Sequence, residues 1–137
     1  EDWISVLFKT ENGVTGQFEA SWMALGRKNT LQIEVYGSGG SAIFNLEKPN
    51  EVMIYLSSDE PKYAGYRRVL LGPLHPYGNS MAYPAPGAGM GYEDSIINEY
   101  YEFFNSILAG KNPSPSFYDG YLVNKVVDMI YKNINLK

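Results

Sequence analysis

The sequence has no cysteine and a single histidine among its 137 residues. The missing cysteines exclude disulfides, a thiol nucleophile and thiolate metal sites, and one imidazole excludes a metal site built from several histidines. Lysine and arginine total 11 against 15 acidic residues, and no basic cluster exceeds the pair Arg67 and Arg68. A net charge of −4 without clustered cations argues against a nucleic-acid partner. No apolar run reaches the roughly 18 residues of a membrane span, so we expect no membrane partner.

Aromatic residues are abundant, at 15% of the chain with 12 tyrosines. One interpretation is strand propensity and packing. The other is a surface for a flat polar ligand or another subunit, because tyrosine buries a ring and presents a hydroxyl. The length fits one domain, residues 1–137. Because the chain starts at Glu1, with neither an initiator methionine nor a signal-type segment, we expect part of a longer, cytoplasmic protein.

The first half of the chain alternates apolar and polar residues with the period of half-buried strands. The pattern predicts six strands, over residues 4–9, 14–22, 31–36, 41–46, 52–56 and 66–71. Asn12-Gly13 and the run Gly37–Gly40 predict hairpin turns. Gly16 lies on the apolar side of its strand, which predicts a bulky neighbour above it or a bulge. A strand and not a helix follows Gly37–Gly40, so we do not expect this loop to bind phosphate.

The second half contains a long loop and then two helices. Residues 72–91 hold four prolines and five glycines, which favours an ordered lid, and the glycines at its end could form an anion nest. Apolar residues then recur at three- and four-residue steps between Glu93 and Gly110, a helical pattern with a glycine stop. Ser116 and Asp119 resemble a capping box that opens the second helix. Strands followed by helices predict an α+β fold, a mostly antiparallel sheet with both helices packed on one face.

The opposite face of that sheet is either solvated or a subunit interface, and its mixed polarity and tyrosine favour the interface. We therefore predict a homo-oligomer, a dimer or tetramer, that contacts its partner through the outward residues of two strands: Thr15, Gln17, Glu19, Gln32, Glu34 and Tyr36.

Three segments, in order, resemble motifs of the C-terminal domain of the Gfo/Idh/MocA oxidoreductases, the glucose–fructose oxidoreductase and inositol dehydrogenase family. They are Val14–Trp22 continued by Ile33–Ser41, the helical segment Glu99–Gly110, and Pro115–Gly120. The resemblance implies a dihydrodipicolinate-reductase-like α+β domain that follows a Rossmann domain for NAD or NADP. It further implies a substrate, a sugar or polyol, bound between the two domains, with hydride transferred to or from the nicotinamide.

The resemblance also implies which residues of this chain contact substrate. Met23, Arg27 and Asn29 lead into the central strand, and Met90 and Tyr92 precede the long helix. His75, the one imidazole, is added as a further ligand contact. The family's catalytic and cofactor motifs have no counterpart in this chain, so we expect no catalytic, cofactor or metal residue here and no activity of the chain alone. Glu47-Lys48-Pro49 spells a family tripeptide but lies in a hairpin turn, and we treat that match as coincidence.

Two functions follow from these observations. The first is the C-terminal domain of an NAD(P)-dependent sugar or polyol oxidoreductase, which supplies a wall of the substrate cleft and a subunit interface. The alternative is a stand-alone carbohydrate-binding or protein-interaction module, for which the aromatic content and the loop of residues 72–91 argue.

Overall fold

The computed structural model describes residues 2–78 and 83–134, so residues 79–82 of the predicted loop and the last three residues lie outside the described part. The described residues form six strands, a short 3₁₀ turn at Pro61–Tyr63 and two α-helices. The strands are β1 (Trp3–Lys9), β2 (Thr15–Ser21), β3 (Gln32–Gly37), β4 (Gly40–Asn45), β5 (Glu51–Leu56) and β6 (Arg67–Leu70). The helices are α1 (Tyr92–Leu108) and α2 (Phe117–Asn133).

The strands pair in two antiparallel sheets and not in the single sheet that the alternation suggested. β1 and β2 form a two-stranded hairpin, and the remaining four strands form a meander in the order β3-β4-β5-β6. The chain divides accordingly into two compact units. Unit 1 comprises Glu1–Arg27 and Asn112–Lys137, and unit 2 comprises Lys28–Lys111. The predicted α+β class is confirmed, because strands and helices occur in separate parts of the chain.

In unit 1, the β1–β2 register explains the glycine on the apolar side of β2. Phe8 lies opposite Gly16, and its ring occupies the space that a Cβ at residue 16 would need. The predicted bulky neighbour of Gly16 is therefore confirmed, and it comes from the adjacent strand.

The start of α2 confirms the predicted capping box. Asp119 Oδ2 accepts hydrogen bonds from the backbone N–H and the hydroxyl of Ser116, both at 2.7 Å. These bonds from Ser116 lower the pKa of the Asp119 carboxyl from its ordinary value, because they stabilise its charged form.

In unit 2, the central hairpin turns within two residues between β3 and β4. Gly37 pairs with Gly40 across the turn. Gly40 has a φ of +150°, and a Cβ there would overlap the backbone carbonyl oxygen of Tyr55 in β5. Only glycine fits this position, because both the backbone conformation and the close approach of the next strand exclude a side chain.

Helix α1 is oriented in an unexpected way within unit 2. Its most buried side chain is the polar Asn98, at 8% exposure, while the apolar Ile97 and Phe104 are 54% and 57% exposed. The less exposed residues are spaced by four along one polar stripe, Asp94, Asn98, Glu102 and Ser106. Within each unit, the described strands make no extensive contact with the helix of that unit, so the predicted packing of apolar helix faces on a sheet is not seen there.

The physical reason for this orientation is hydrogen bonding with the loop before α1. Asn98 Nδ2 lies 3.5 Å from the sulfur of Met90, and Glu102 hydrogen-bonds the hydroxyl of Tyr77.

Among the described residues, neither helix has the length and apolar composition that crossing a membrane requires.

We expect Gly40→Ala to lower the free energy of unfolding by about 1–3 kcal/mol, because alanine would be strained at this φ and would meet the β5 backbone. Chemical denaturation of the purified protein measures the change. Gly39→Ala is the matched control: its Cβ would meet nothing within 4 Å, so stability should change little. Equal stability of the two variants would contradict the assignment of strain to residue 40.

Candidate functional site

The β4–β5 turn contains an amide that pairs with a distant piece of backbone. Asn50 Nδ2 donates to the carbonyl oxygen of Met90 at 3.0 Å, and Asn50 Oδ1 accepts from the Met90 backbone N–H. The two residues are 40 positions apart, and the pair is part-buried. One side-chain amide thereby satisfies both backbone groups of Met90, as a neighbouring strand would.

The residues around Met90 are shaped to receive this amide. Gly89 has a φ of +69°, and a Cβ there would lie 2.9 Å from Cγ of Asn50. On the other side, Asp94 Oδ2 accepts the Gly91 N–H at 2.8 Å, and α1 begins at Tyr92. Every residue from 89 to 91 is thus constrained, so the backbone that presents Met90 and Tyr92 is fixed.

The beginning of the same loop is also ordered. His75 Nδ1 lies 3.0 Å from the Gly72 N–H and accepts its hydrogen bond, and Gly78 packs directly on the Gly72 backbone. Tyr77 has a φ of +62° and bonds Glu102 of α1, which raises the pKa of the Tyr77 hydroxyl above its ordinary value. The beginning of the 72–91 loop, over residues 72–78, and its end, over residues 89–91, therefore have defined partners, and the lid itself stays a prediction.

A small cavity lies between the turn and this loop. Its volume is about 180 Å³, and it is lined chiefly by apolar side chains of β4, β5 and β6, with Asn50, Glu51 and His75 as its polar members. Glu51 is paired with Arg68 and Lys48, at 3.5 Å and 3.8 Å. The cavity is smaller than the roughly 300 Å³ at which small-molecule sites begin, so it does not by itself hold a sugar.

Glu47, in the same turn, holds a second segment, residues 28–30. Glu47 Oε1 accepts the Lys28 backbone N–H at 3.0 Å and the Thr30 hydroxyl proton. Asn29, one of the residues that the family resemblance nominates, lies between these two donors. Glu47 is therefore a structural carboxylate, which agrees with the treatment of the Glu47-Lys48-Pro49 match as coincidence.

The predicted substrate residues fall into two groups. In unit 2, His75 and Met90 belong to the 72–91 loop, Tyr92 is the first residue of α1, and Asn29 is flanked by residues bound to Glu47. Met23 and Arg27 lie in unit 1, in the exposed stretch that follows β2. Sequence reasoning missed Asn50 and Glu47 as positioning side chains, and their only sequence signal is a carboxylate and an amide at the two ends of a proline turn.

The six predicted interface residues divide between the two sheets. Thr15, Gln17 and Glu19 belong to β2, and Gln32, Glu34 and Tyr36 belong to β3. Gln32 Nε2 donates to Glu34 Oε1 at 2.6 Å, and the Tyr36 hydroxyl donates to Glu34 Oε2. These bonds lower the pKa of Glu34 and raise the pKa of Tyr36 to about 12. Gln32, Glu34 and Tyr36 thus form one hydrogen-bonded row along one side of β3.

Neither glycine-rich segment of the described residues suits the pyrophosphate of a dinucleotide. The Gly37–Gly40 turn joins two antiparallel strands, and no helix follows it. At the start of α1, the Gly91 N–H is already bound to the Asp94 carboxylate, which occupies the place where an anion would bind. The anion nest considered for this segment is therefore filled from within the chain. The described residues also lack any group of three side chains that could hold a metal ion.

Comparison with known proteins identifies relatives along nearly the whole chain. Residues 1–43 match the model of the GFO/IDH/MocA C-terminal domain. Levoglucosan dehydrogenase of Pseudarthrobacter phenanthrenivorans is 38% identical over 133 residues, which cover 97% of this chain and 34% of that enzyme.

Two solved structures show the same fold. Levoglucosan dehydrogenase in complex with NADH and levoglucosan has a TM-score of 0.92 at 38% identity, over 96% of this chain and 36% of that one. An oxidoreductase domain protein from Kribbella flavida has a TM-score of 0.90 at 36% identity, over 96% and 35%. The chain therefore spans about a third of the length of these relatives.

We expect Glu34→Gln to lower the pKa of Tyr36 from about 12 toward the ordinary value, because the charged acceptor that opposes deprotonation is removed. Since the folded pKa of Tyr36 is raised and that of Glu34 is lowered, the row stabilises the fold fully below the ordinary tyrosine pKa and above the ordinary glutamate pKa. Its contribution is lost as the pH rises through about 12 or falls through the lowered Glu34 value.

The pKa of Tyr36 is measured from the difference between the tyrosine absorbance titrations of each protein and of its Tyr36→Phe derivative. Glu99→Gln, which changes an exposed carboxylate on α1, is the control and should leave the difference curve in place. An unchanged midpoint in Glu34→Gln would show that Glu34 does not set this pKa.

Proposed function

The chain belongs to the C-terminal domain of the Gfo/Idh/MocA oxidoreductases, and from this premise we propose that it forms the substrate side of an NAD-dependent sugar dehydrogenase. The observation that carries the proposal is its similarity, along nearly its whole length, to a dehydrogenase whose structure contains NADH and levoglucosan. This favours the domain of a larger enzyme over the stand-alone carbohydrate-binding or interaction module. The chain spans about a third of that enzyme, and we place the cofactor site and the catalytic residues of the proposed dehydrogenase outside this chain.

The proposed chemistry divides between the chain and the rest of the protein. NAD, bound outside this chain, supplies the hydride acceptor for a sugar C–H. The chain supplies hydroxyl recognition: Arg27 donates, and Asn29 and His75 both donate and accept. Tyr92 is 72% exposed at the start of α1 and presents a ring and a hydroxyl, a combination that suits a sugar face. Orientation of the reacting carbon, and not proton transfer, is the contribution we assign to these residues.

The exposed apolar stripe of α1 supports a role within a larger protein. Ile97, Phe104 and Leu108 are 54%, 57% and 85% exposed, and soluble proteins rarely leave so continuous an apolar face in water. The rest of the dehydrogenase is the occupant we propose for it.

For the polar row on β3 we propose the subunit interface. Tyr36 is 68% exposed and already bonded to Glu34, so the row can be buried by a partner with its polar atoms partly satisfied. Sedimentation of the whole protein tests this role. Glu34→Lys should dissociate the oligomer, and an unchanged mass would remove β3 from the interface.

The whole dehydrogenase should form NADH from NAD in the presence of levoglucosan or another sugar or polyol. The absorbance of NADH, followed across a panel of such substrates, measures the activity. Tight binding of NAD without turnover of any of them would contradict a sugar dehydrogenase.

In the same enzyme, Arg27→Ala or Asn29→Ala should raise KM for the sugar or lower kcat by about threefold to tenfold, the cost of one or two lost hydrogen bonds. The affinity for NAD should not change, because both residues lie in the proposed substrate segment. Arg67→Ala is the matched control, because it removes an arginine of β6 that is paired with Asp59. Unchanged sugar kinetics in both variants would exclude residues 27–29 from the site.

A further inference from the structure

The β4–β5 turn contacts two segments that are far apart in the chain. Its last residue, Asn50, binds both backbone groups of Met90, and its first, Glu47, binds the backbone N–H of Lys28 and the hydroxyl of Thr30. These targets lie 40 residues after Asn50 and 17–19 residues before Glu47. Both segments contain residues nominated for substrate contact, Asn29 in the first and Met90 with Tyr92 in the second.

We propose that the Glu47–Asn50 turn, which we call the positioning turn, sets the relative placement of these two substrate-contact segments, with Asn50 as its principal positioning residue. The proposal rests on the proposed function, since it assigns the turn to the sugar side of the dehydrogenase site. Asn50 does not contact the sugar itself, because its amide is already used by Met90. It acts through the backbone of residues 89–92.

The geometry around Asn50 limits the ways in which the segment can move. The amide is part-buried and bonds both the N–H and the C=O of Met90, so the backbone at Met90 cannot move away from Asn50 without breaking both bonds. Gly89 leaves space for the amide where any Cβ would lie 2.9 Å from Asn50 Cγ. Asn98 contacts the Met90 sulfur at 3.5 Å, which sets the direction of that side chain. Tyr92 follows two residues later, and its position at the helix start is fixed by the same backbone.

The turn itself is stiff enough for this task. It lies between two paired strands, β4 ending at Asn45 and β5 beginning at Glu51, and its third residue is Pro49. The Glu47 N–H donates to Asn45 Oδ1 at 2.9 Å, and the Lys48 N–H donates to the Asn45 carbonyl oxygen at 2.8 Å. The four-stranded sheet therefore fixes the position of the turn, and the turn fixes the position of both segments.

The test uses the whole dehydrogenase and separates positioning from simple loss of structure. Asn50→Ala should raise KM for the sugar, or lower kcat with the sugar saturating, by about 10- to 100-fold, because small misplacements of binding groups are costly. KM for NAD should stay near its original value, since the cofactor binds elsewhere. Asn124→Ala is the matched control: its amide donates to a backbone carbonyl, Gly120 at 3.1 Å, but on α2.

A second pair of variants tests the other end of the turn. Glu47→Gln keeps an acceptor oxygen for the Lys28 N–H and should retain most of the sugar affinity, while Glu47→Ala should lose it. If Asn50→Ala does not fold, Gly89→Ala decides, because its Cβ displaces the Asn50 amide without removing it; Gly87→Ala, also at a positive φ but with nothing within 4 Å of its Cβ, controls for backbone strain. A selective loss on the sugar side supports the proposal.

Two results would overturn it. One is sugar kinetics unchanged in Asn50→Ala and Gly89→Ala. The other is a parallel decline of sugar and NAD parameters in these variants together with a lower melting temperature, which indicates a merely structural role. Failure of the unmodified enzyme to oxidise any sugar would instead refute the proposed function, so the two failures are distinguishable.

Discussion

The path of the loop into α1 depends on the pairing of one side-chain amide, that of Asn50, with the backbone N–H and C=O of Met90. Met90 lies at the end of a loop rich in proline and glycine, and none of the strands in the described part of the chain pairs with its N–H or C=O. Leaving a part-buried backbone N–H and C=O without hydrogen-bond partners costs more free energy than a hydrogen bond contributes. The loop therefore follows this path because the Asn50 amide supplies both partners. Three neighbouring features are consistent with this pairing: the conformation of Gly89, the start of α1 and the direction of the Met90 side chain.

The same constraint accounts for the orientation of α1. Helix α1 begins two residues after Met90, and its stripe containing Asp94 and Asn98 faces the loop. Asp94 accepts the Gly91 N–H, and Asn98 contacts the Met90 sulfur. With its polar stripe committed to the loop, the apolar stripe is left outward. Amphipathicity here does not report which side of the helix faces its own unit. It shows which side is left exposed, and we propose that the rest of the dehydrogenase covers that side.

Local sequence patterns were sufficient for the strands, the helices and their caps, because each depends on residues a few positions apart. The alternation in β2, the Phe8 cover over Gly16 and the capping box at Ser116 follow from period, pairing and side-chain chemistry alone. The division of the strands into two sheets did not follow, since alternation predicts that a strand exists but not which strands pair beyond a hairpin. Asn50 and Glu47 were missed for a related reason: their partners are separated in sequence by loops whose path no local rule gives.

In the site that we propose, the residues that position the backbone differ from the residues that contact the sugar. The bonds from Asn50 reach only the backbone at residue 90, and those of Glu47 reach the backbone at residue 28 and a hydroxyl at residue 30. None depends on the side chain at residue 29, 90 or 92. In the substrate site that we propose, the side chains at these three residues can therefore be replaced while the backbone that presents them stays in place. Relatives that are 36% and 38% identical over this region nevertheless keep its fold at TM-scores of 0.90 and 0.92. Under the proposed function, substrate preference is then a property of a few exposed side chains, and the accuracy of their placement is a property of the Glu47–Asn50 turn between β4 and β5.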